Sequence, residues 1–197
     1  AFSLNYGYHL NAGKFVELLQ RHCVDKLGVE YQLGHVEQII AAENGDIEAL
    51  RLASGETIGG DLFVDCTGFA AILIGKHYNI PFISQRDYLF NDTALAVQAE
   101  YATEDAPIAS CTKATAQSAG WIWDIALPSR RGVGHVFSSA HTSTEKAEEE
   151  LAAYIKADPT LADVQPSPRK IEFQPGHRET FWHHNCVAVG VSAGFVE

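Results

Sequence analysis

The stretch Gly59-Gly-Asp-Leu-Phe-Val-Asp-Cys-Thr-Gly-Phe69 decides how the fold of this chain is interpreted. Residues 61–65 have the length and apolar character of a short buried strand, which ends in Thr67-Gly68. Such an ending places main-chain N–H groups and a hydroxyl at the carboxyl end of a sheet, where dinucleotides bind in open α/β folds. Glycine also lets a ligand approach the backbone closely. An ordinary strand-to-loop turn has the same pattern, so both interpretations stay open here.

The residues before this stretch predict a helix and a small antiparallel meander. Asn11 is a suitable N-cap, apolar residues follow at helical spacing, and Gly28 ends the run. A strand is predicted over residues 29–40. The Asn44-Gly45 pair predicts a hairpin, and a Ser-Gly-Glu turn at residues 54–56 completes the meander.

A second region begins after the proline-containing segment 81–88. Its strands are predicted over residues 94–101, 120–125, 134–139, 170–173 and 185–190. Thr142-Ser-Thr-Glu145 has the pattern of a capping box, which predicts a helix over residues 145–156. Helices and strands therefore mix along the chain, and the fold class is α/β.

Two further stretches have the composition of a ligand-binding wall. Trp121 and Trp123 are two residues apart in a strand, so both rings face one side and are expected to form a flat aromatic wall. The stretch Asn185–Phe195 runs from an apolar strand into small residues, which also permit close approach of a flat ligand. Core packing explains the first pattern equally simply, and a tight strand-to-helix corner explains the second.

Composition excludes several classes of protein. The 197 residues carry 14 Lys and Arg against 25 Asp and Glu, a formal net charge of −11. This acidic balance argues against nucleic acids and anionic membrane surfaces as partners, since both attract clustered basic residues. No apolar stretch is long enough to span a bilayer, and no signal peptide is visible. A cytoplasmic location is therefore expected.

Metal binding and familiar nucleophilic catalysis are not predicted. The four cysteines, at positions 23, 66, 111 and 186, lack zinc-ligand spacing and are expected to be free thiols in the protein interior. The sequence has no G-x-G-x-x-G after a strand, no G-x-S-x-G, no P-loop and no H-E-x-x-H.

Taken in order, four blocks resemble the flavin-dependent halogenases, the tryptophan-halogenase group within the flavin monooxygenase superfamily. They are Tyr6-Gly-Tyr-His-Leu-Asn-Ala-Gly-Lys-Phe15, Asp61–Phe69, Gly120-Trp-Ile-Trp-Asp-Ile125 and Cys186–Glu197. The W-x-W-x-I signature in the third block is fairly specific to that family, and the resemblance covers nearly the whole chain.

The resemblance implies a partial FAD-dependent monooxygenase fold, of the p-hydroxybenzoate-hydroxylase-like type, with a mixed or antiparallel sheet on the substrate side. It assigns residues 1–70 to part of the FAD-binding domain and residues 71–184 to the substrate-side sheet with one helix. Residues 185–197 would form a truncated strand that returns to the FAD domain. The absence of Met and the apolar end of the chain also suggest a piece of a longer protein; the alternative is a complete domain with a buried terminal strand.

The resemblance also implies a reaction. In this family, reduced FAD from a partner reductase and oxygen oxidise chloride or bromide to hypohalous acid, which a lysine directs to an electron-rich aromatic ring such as tryptophan or indole. The tryptophan motif is thought to keep the substrate away from the flavin. The residues that match the family's FAD-lining positions are Val36, Thr67, Gly68, Phe69, Gly190 and Ala193, and those that match the partition are Trp121, Trp123 and Ile125.

Departures from the family pattern limit what is carried over. The proline of the motif is Ala126 here. The family's catalytic Lys and Glu fall outside these residues, so Lys14, Lys76 and Glu197 are not assigned those roles and the catalytic residues are unknown. The expected function is thus a halogenase from which this chain is a fragment, inactive alone. An aromatic hydroxylase of the same fold and a non-catalytic aromatic-binding module are the alternatives.

Overall fold

A computed structural model describes residues 6–161 and 167–196. The described residues belong to two compact units. One, here called the sheet unit, lies within Ala1–Glu30 and Asn91–Glu172; the other, the meander unit, lies within Tyr31–Phe90 and Phe173–Glu197. The chain leaves the meander unit after residue 90 and returns to it at residue 173.

Two α-helices and a series of mostly short strands form the described residues. The helices are α1 (Ala12–Leu27) and α2 (Thr144–Lys156). The strands are β1 (Val36–Ala41), β2 (Ile47–Leu52), β3 (Thr57–Gly59), β4 (Phe63–Asp65), β5 (Phe82–Ser84), β6 (Thr93–Ala99), β7 (Lys113–Gln117), β8 (Gly120–Ala126), β9 (Arg131–Phe137), β10 (Arg169–Glu172), β11 (Gly176–Arg178), β12 (Trp182–His183), β13 (Cys186–Ala188) and β14 (Gly194–Phe195).

The sheet unit contains an antiparallel five-stranded sheet in the order β10-β6-β9-β8-β7. One face of this sheet packs against the apolar side of α2. The side chains in this core are Leu95, Ile122, Val133, Phe137, Ala147, Leu151, Ile155 and Leu161. Burial of this apolar area is the main stabilising contribution to the unit.

The sequence missed one strand of this sheet and misplaced the start of another. β7 is an edge strand in which small and polar residues alternate, so its apolar signal is weak. β9 was expected from residue 134, but it begins at Arg131, whose side chain is buried in an ion-pair network. The turn between β8 and β9 therefore comprises residues 127–130.

The first turn of α2 differs from the predicted capping box. The N-cap is Ser143, whose side chain accepts a hydrogen bond from the amide of Lys146 at 3.2 Å. Thr142 lies one residue before the cap, and its buried hydroxyl has no hydrogen-bond partner among the described residues. Ser143 therefore has the capping role that was predicted for Thr142, because its side chain reaches the amide of Lys146.

Helix α1 has the predicted ends. The side chain of Asn11 accepts from the amide of Lys14 at 3.3 Å, and Gly28 ends the helix in the left-handed region at φ 68°. None of the α1 side chains is buried. The apolar side chains whose spacing predicted this helix are therefore not buried by any of the described residues.

The meander unit has three small sheets among its described residues, in the orders β1-β2-β3, β14-β11-β5 and β12-β13-β4. The first contains the predicted hairpins at residues 44–45 and 54–56. Strand β1 begins at Val36 and not at the predicted residue 29. Val36 pairs with Leu52, the last residue of β2, and one further bond runs from the amide of Ala53 to the carbonyl of His35 at 2.9 Å. The core of the unit contains Ile47, Phe63, Ala71, Leu73, Ile74, Cys186 and Ala188.

The cysteines are free, but only Cys186 is buried; Cys66 and Cys111 are exposed, so the expectation that all four lie in the interior was wrong. No helix in residues 6–161 and 167–196 is both long enough and apolar enough to cross a membrane.

Candidate functional site

Two parallel strands, β4 and β13, bring distant parts of the meander unit together. Cys186 pairs with Phe63 and Ala188 with Asp65, so both strands end at the same edge of their sheet. The amide of Val189 extends the ladder by donating to the carbonyl of Asp65 at 3.0 Å. The loops that follow the two strands therefore start side by side, as the carboxyl ends of parallel strands must.

The side chain of Asp65 organises the loop after β4. Asp65 is fully buried, and its carboxylate accepts hydrogen bonds from the amide and hydroxyl of Thr67 at 3.0 and 2.6 Å. It also accepts from the amides of Leu73 and Ile74, both at 2.9 Å. Burial raises the pKa of Asp65, but these hydrogen bonds outweigh it and hold the pKa below its ordinary value. Asp65 is thus a buried anion that fixes the loop.

The amide and the hydroxyl of Thr67 both donate hydrogen bonds within the protein. Its hydroxyl donates to Asp65 and accepts from the amide of Ile72 at 2.9 Å, and its own amide also bonds to Asp65. Thr67 therefore shapes the loop.

Two glycines, Gly68 and Gly190, begin the short 3₁₀ turns Gly68–Ala70 and Gly190–Ser192. Their φ angles, 66° and 69°, lie in the left-handed region, and a Cβ built on either would meet nothing within 4 Å. Amides at the start of such a turn have no acceptor within it. Open space beside amide donors, at the carboxyl ends of parallel strands, fits the approach of a dinucleotide cofactor such as FAD.

The remaining predicted FAD-lining residues fall into two places. Phe69 is exposed, with its ring centroid 6.3 Å from that of Phe195, and Ala193 is half-buried, its carbonyl accepting from the amide of Arg178 at 2.7 Å. Val36 starts β1, in a different sheet of the same unit. The residues at the β4–β13 edge are thus Thr67, Gly68, Phe69, Gly190 and Ala193.

Sequence reasoning missed the residues that hold these loops. Arg178 donates from Nη1 to the carbonyl of Ile80 at 2.9 Å and from Nε to that of Ser192 at 3.4 Å. Gly75 leaves room for the guanidinium, since a Cβ there would lie 2.6 Å from Nη2. These partners are far apart in sequence and carry no local signal. The sequence pattern could have identified Asp65 as a buried carboxylate, because it lies two residues after Phe63 on the buried face of β4.

The predicted partition residues lie on β8 in the sheet unit. Burial alternates along this strand: Ile122, Asp124 and Ala126 are buried, whereas Trp121, Trp123 and Ile125 are half-buried and share the opposite face. The two indole centroids are 6.3 Å apart and the rings are inclined by 66°. The expected flat wall is therefore wrong, because each ring packs at its own angle on the neighbouring strands.

A buried ion-pair network supports the other face of β8. Arg131 donates from Nε to Asp124 Oδ1 at 2.8 Å and from Nη1 to Asp158 Oδ2 at 2.6 Å, and a second bond joins its Nη2 to Asp124. The hydrogen bonding that Arg131 donates to Asp124 is the main reason that the pKa of Arg131 is raised. Tyr154 of α2 also donates to Asp124 at 2.9 Å. This network fixes β8 against α2.

A cleft of about 210 Å³ opens at the end of β8, and its lining includes Lys113, Ala126, Arg131 and Asp158. Its cations are already paired: Arg131 binds both carboxylates, and Lys113 lies 4.0 Å from Asp158. Among the described residues that line it, the cleft therefore offers no uncompensated charge to a ligand. Ala126, the departure from the family motif, continues the strand and pairs with Arg131.

Within the described residues, no group of three or more His, Cys, Asp or Glu side chains could hold a metal ion. Glu197 lies outside the described residues.

Comparison with known proteins gives a consistent result. A family model described as tryptophan halogenase matches residues 1–197. The 7-chloro-L-tryptophan 6-halogenase KtzR of Kutzneria sp. (strain 744) is 40% identical over 192 residues, covering 98% of this chain and 36% of that protein. The tryptophan 7-halogenase RebH of Lentzea aerocolonigenes is 37% identical over 193 residues, with the same coverage of the two chains.

A solved structure agrees in fold. The tryptophan halogenase from Shewanella frigidimarina NCIMB 400 superposes with a TM-score of 0.92 and 49% sequence identity, covering 100% of this chain and 37% of that one. The chain thus spans little more than a third of the length of the relatives it matches. The architecture is that of the flavin-dependent halogenases, a monooxygenase-type α/β fold, which confirms the predicted fold class. The family match along the whole sequence shows that this chain belongs to the tryptophan halogenase family.

Proposed function

We propose that the protein containing this chain is a flavin-dependent halogenase that acts on tryptophan, indole or a related electron-rich aromatic. The observation that carries the proposal is the family match over all 197 residues. The geometry supports it, since the chain combines an open glycine-lined strand edge with a separate strand that bears two half-buried indoles.

For FAD, we propose the main chain at Gly68 and Gly190 as the contact surface, with Thr67, Phe69 and Ala193 beside it. Both glycines leave free volume where any other residue would place a Cβ. Asp65 keeps this edge rigid through its four hydrogen bonds, so the loops need little reorganisation when a ligand binds. Val36 stays a proposed contact from the β1-β2-β3 sheet.

When bound in reduced form, FAD supplies the two electrons with which oxygen and a halide yield hypohalous acid and water. We propose chloride or bromide as the halide, a partner reductase as the source of reduced flavin, and the cytoplasm as the location. Trp121, Trp123 and Ile125 form the partition on the substrate side. Large rigid rings suit this role, because few conformations of the side chain compete with the one that excludes substrate.

One residue supports a second enzymatic function. The family motif has proline where this chain has Ala126, and a changed partition would favour an aromatic hydroxylase. A non-catalytic module that binds aromatic molecules is the third possibility.

The test uses the full-length protein with a flavin reductase, oxygen and bromide, and mass spectrometry of tryptophan and indole. A brominated product is expected, formed with loss of a ring proton and release of water from hypobromous acid. A hydroxylated product without bromine would replace the proposal by the hydroxylase. Absence of either product, with FAD still bound, would favour the binding module.

A further inference from the structure

The indole of Trp123 is surrounded by very small residues on both neighbouring strands. Trp123 pairs with Ala114 of β7 and with Gly134 of β9, and Gly134 in turn pairs with Ala96 of β6. Paired residues share one face of an antiparallel sheet. Ala114, Gly134 and Ala96 thus flank the indole in one row across the sheet, which ends at Arg169 of β10.

Gly134 leaves the space that the indole occupies. A Cβ at this position would overlap Cζ2 and Cη2 of Trp123 and would lie 2.6 Å from the carbonyl oxygen of Leu95. The φ angle of Gly134 is not in the left-handed region, so glycine is required here for space and not for backbone conformation. The ring of Trp123 therefore packs directly against the backbone of β9 at Gly134.

Gly132 is a matched comparison. It lies two residues earlier on the same face of β9, opposite Ile125. A Cβ at Gly132 would meet only Nη1 of Arg130, at 3.9 Å, which is an ordinary contact. On this face of β9, Trp123 therefore approaches closely at Gly134, whereas Gly132 has no comparable contact with a described residue.

We propose that Gly134 is a specificity-determining positioning residue, which acts through Trp123 by setting how far the indole stands above the sheet. The half-buried ring presents the surface that a planar aromatic substrate meets. A methyl group at residue 134 pushes that ring outward and reduces the space beside it. The catalytic consequence rests on the proposed halogenase function, whereas the position of the ring does not.

The first experiment measures the ring position directly in the full-length protein. Two indoles 6.3 Å apart and inclined by 66° couple in circular dichroism. G134A is expected to change this exciton signal and G132A to leave it unchanged. W123F removes the signal, and G134A/W123F should then match W123F. An unchanged signal in folded G134A would overturn the proposal.

The second experiment measures bromination kinetics. We expect G134A to lower kcat/KM roughly tenfold, with the larger part of the change in KM, and G132A to change it by less than about twofold. In the W123F background, the additional effect of G134A should also stay below about twofold, because two residues that act through one contact are not additive. An equal effect of G134A in both backgrounds would overturn the proposal.

The carbonyl of Leu95 gives Gly134 a second close neighbour, so G134A is paired with a rescue variant. If G134A alone is not recovered as folded protein, G134A/W123A should be, because removal of the indole frees the space. Failure of the rescue would show that the Leu95 carbonyl excludes the side chain and would overturn the proposal. If the wild type brominates nothing, the halogenase proposal fails, while the circular dichroism still decides the role of Gly134.

Discussion

The hydroxyl of Ser192 donates a hydrogen bond to the main-chain carbonyl of Asp65, which joins two loops that are 127 residues apart in sequence. The same hydroxyl also lies 2.9 Å from the carbonyl of Val189, and Ser192 is buried. One small side chain thus couples the ends of β4 and β13. The relative position of Gly68 and Gly190 depends on this contact.

Ser192→Ala should therefore weaken the contact between the loops that follow β4 and β13. We expect the free energy of unfolding to fall by about 1 kcal/mol, because a buried hydrogen bond is lost while the Asp65 carbonyl keeps the amide of Val189 as a donor. FAD affinity should fall as well. Urea unfolding and FAD titration of the full-length protein measure the two effects. Ser54→Ala is the control, since the Ser54 hydroxyl only accepts a 3.5 Å bond in an exposed turn. Equal stability losses in both variants would contradict this role for Ser192.

Gly68→Ala and Gly190→Ala should weaken FAD binding more than they destabilise the fold. An alanine in the left-handed region costs about 1 kcal/mol, and its methyl group also enters the open space at the strand edge. Gly28→Ala is the matched control, with φ 68° and an equally open Cβ position, but at the end of α1. All three variants should unfold at similar urea concentrations. A normal FAD affinity in both edge variants would rule out their assignment as FAD contacts.

Asp65→Asn should destabilise the protein by about 2 kcal/mol near neutral pH, because an amide cannot accept all the hydrogen bonds that the carboxylate receives. The pKa of Asp65 is lower in the folded state than its ordinary value of 3.8. Its contribution to stability is therefore complete above about pH 5 and is lost as the pH falls through the folded-state pKa.

The free-energy difference between wild type and Asp65→Asn should consequently be constant from about pH 5 to 8 and shrink towards about pH 3. Urea unfolding followed by circular dichroism across this range checks the sign. A difference that grows on acidification would contradict the assignment of Asp65 as a buried anion.

Arg131→Ala should be among the most destabilising substitutions in the sheet unit. It leaves Asp124 as a buried charge without its cation, which typically costs about 3–5 kcal/mol. Lys113→Ala breaks only a 4.0 Å pair of a half-exposed ammonium, so a change below about 1 kcal/mol is expected. Thermal or urea unfolding of the two variants compares them. A small loss for Arg131→Ala would mean that water reaches Asp124.

Cys186 should be unreactive in the native protein. Burial and the nearby charge of Asp65 raise the pKa of this thiol to about 11, so very little thiolate forms near neutral pH. A maleimide should label the exposed Cys66 and Cys111 first and reach Cys186 only after unfolding in urea. Peptide mass spectrometry at successive times gives the order. Labelling of Cys186 as fast as Cys66 would contradict its burial.

Much of the local structure was predictable because its signals are local. The Asn11 cap and the Gly28 terminator fix α1, and the Asn44-Gly45 pair fixes the first hairpin. The alternation on β8 correctly placed Trp121 and Trp123 on one face. Strand β7 was missed, since an edge strand of small and polar residues has little apolar pattern to recognise.

The candidate site was predictable only in part. The Thr67-Gly68 ending and the small residues after β13 pointed to a ligand edge, and the structure places both at the carboxyl ends of one parallel pair. The role of the Thr67 hydroxyl was not predictable. It depends on Asp65 and Ile72, which enclose it only after the loop has closed.

The sequence by itself determined the family, the capped helices, the turns and the shared face of the tryptophans, because each rests on residue types at short, fixed spacing. Only the tertiary structure decided which loops meet, how Asp65, Ser192 and Arg178 hold them, and how the Trp123 ring rests on Gly134. Those contacts join residues separated by up to 127 positions or by a strand register. Their energies depend on packing and burial, which no short stretch of sequence specifies.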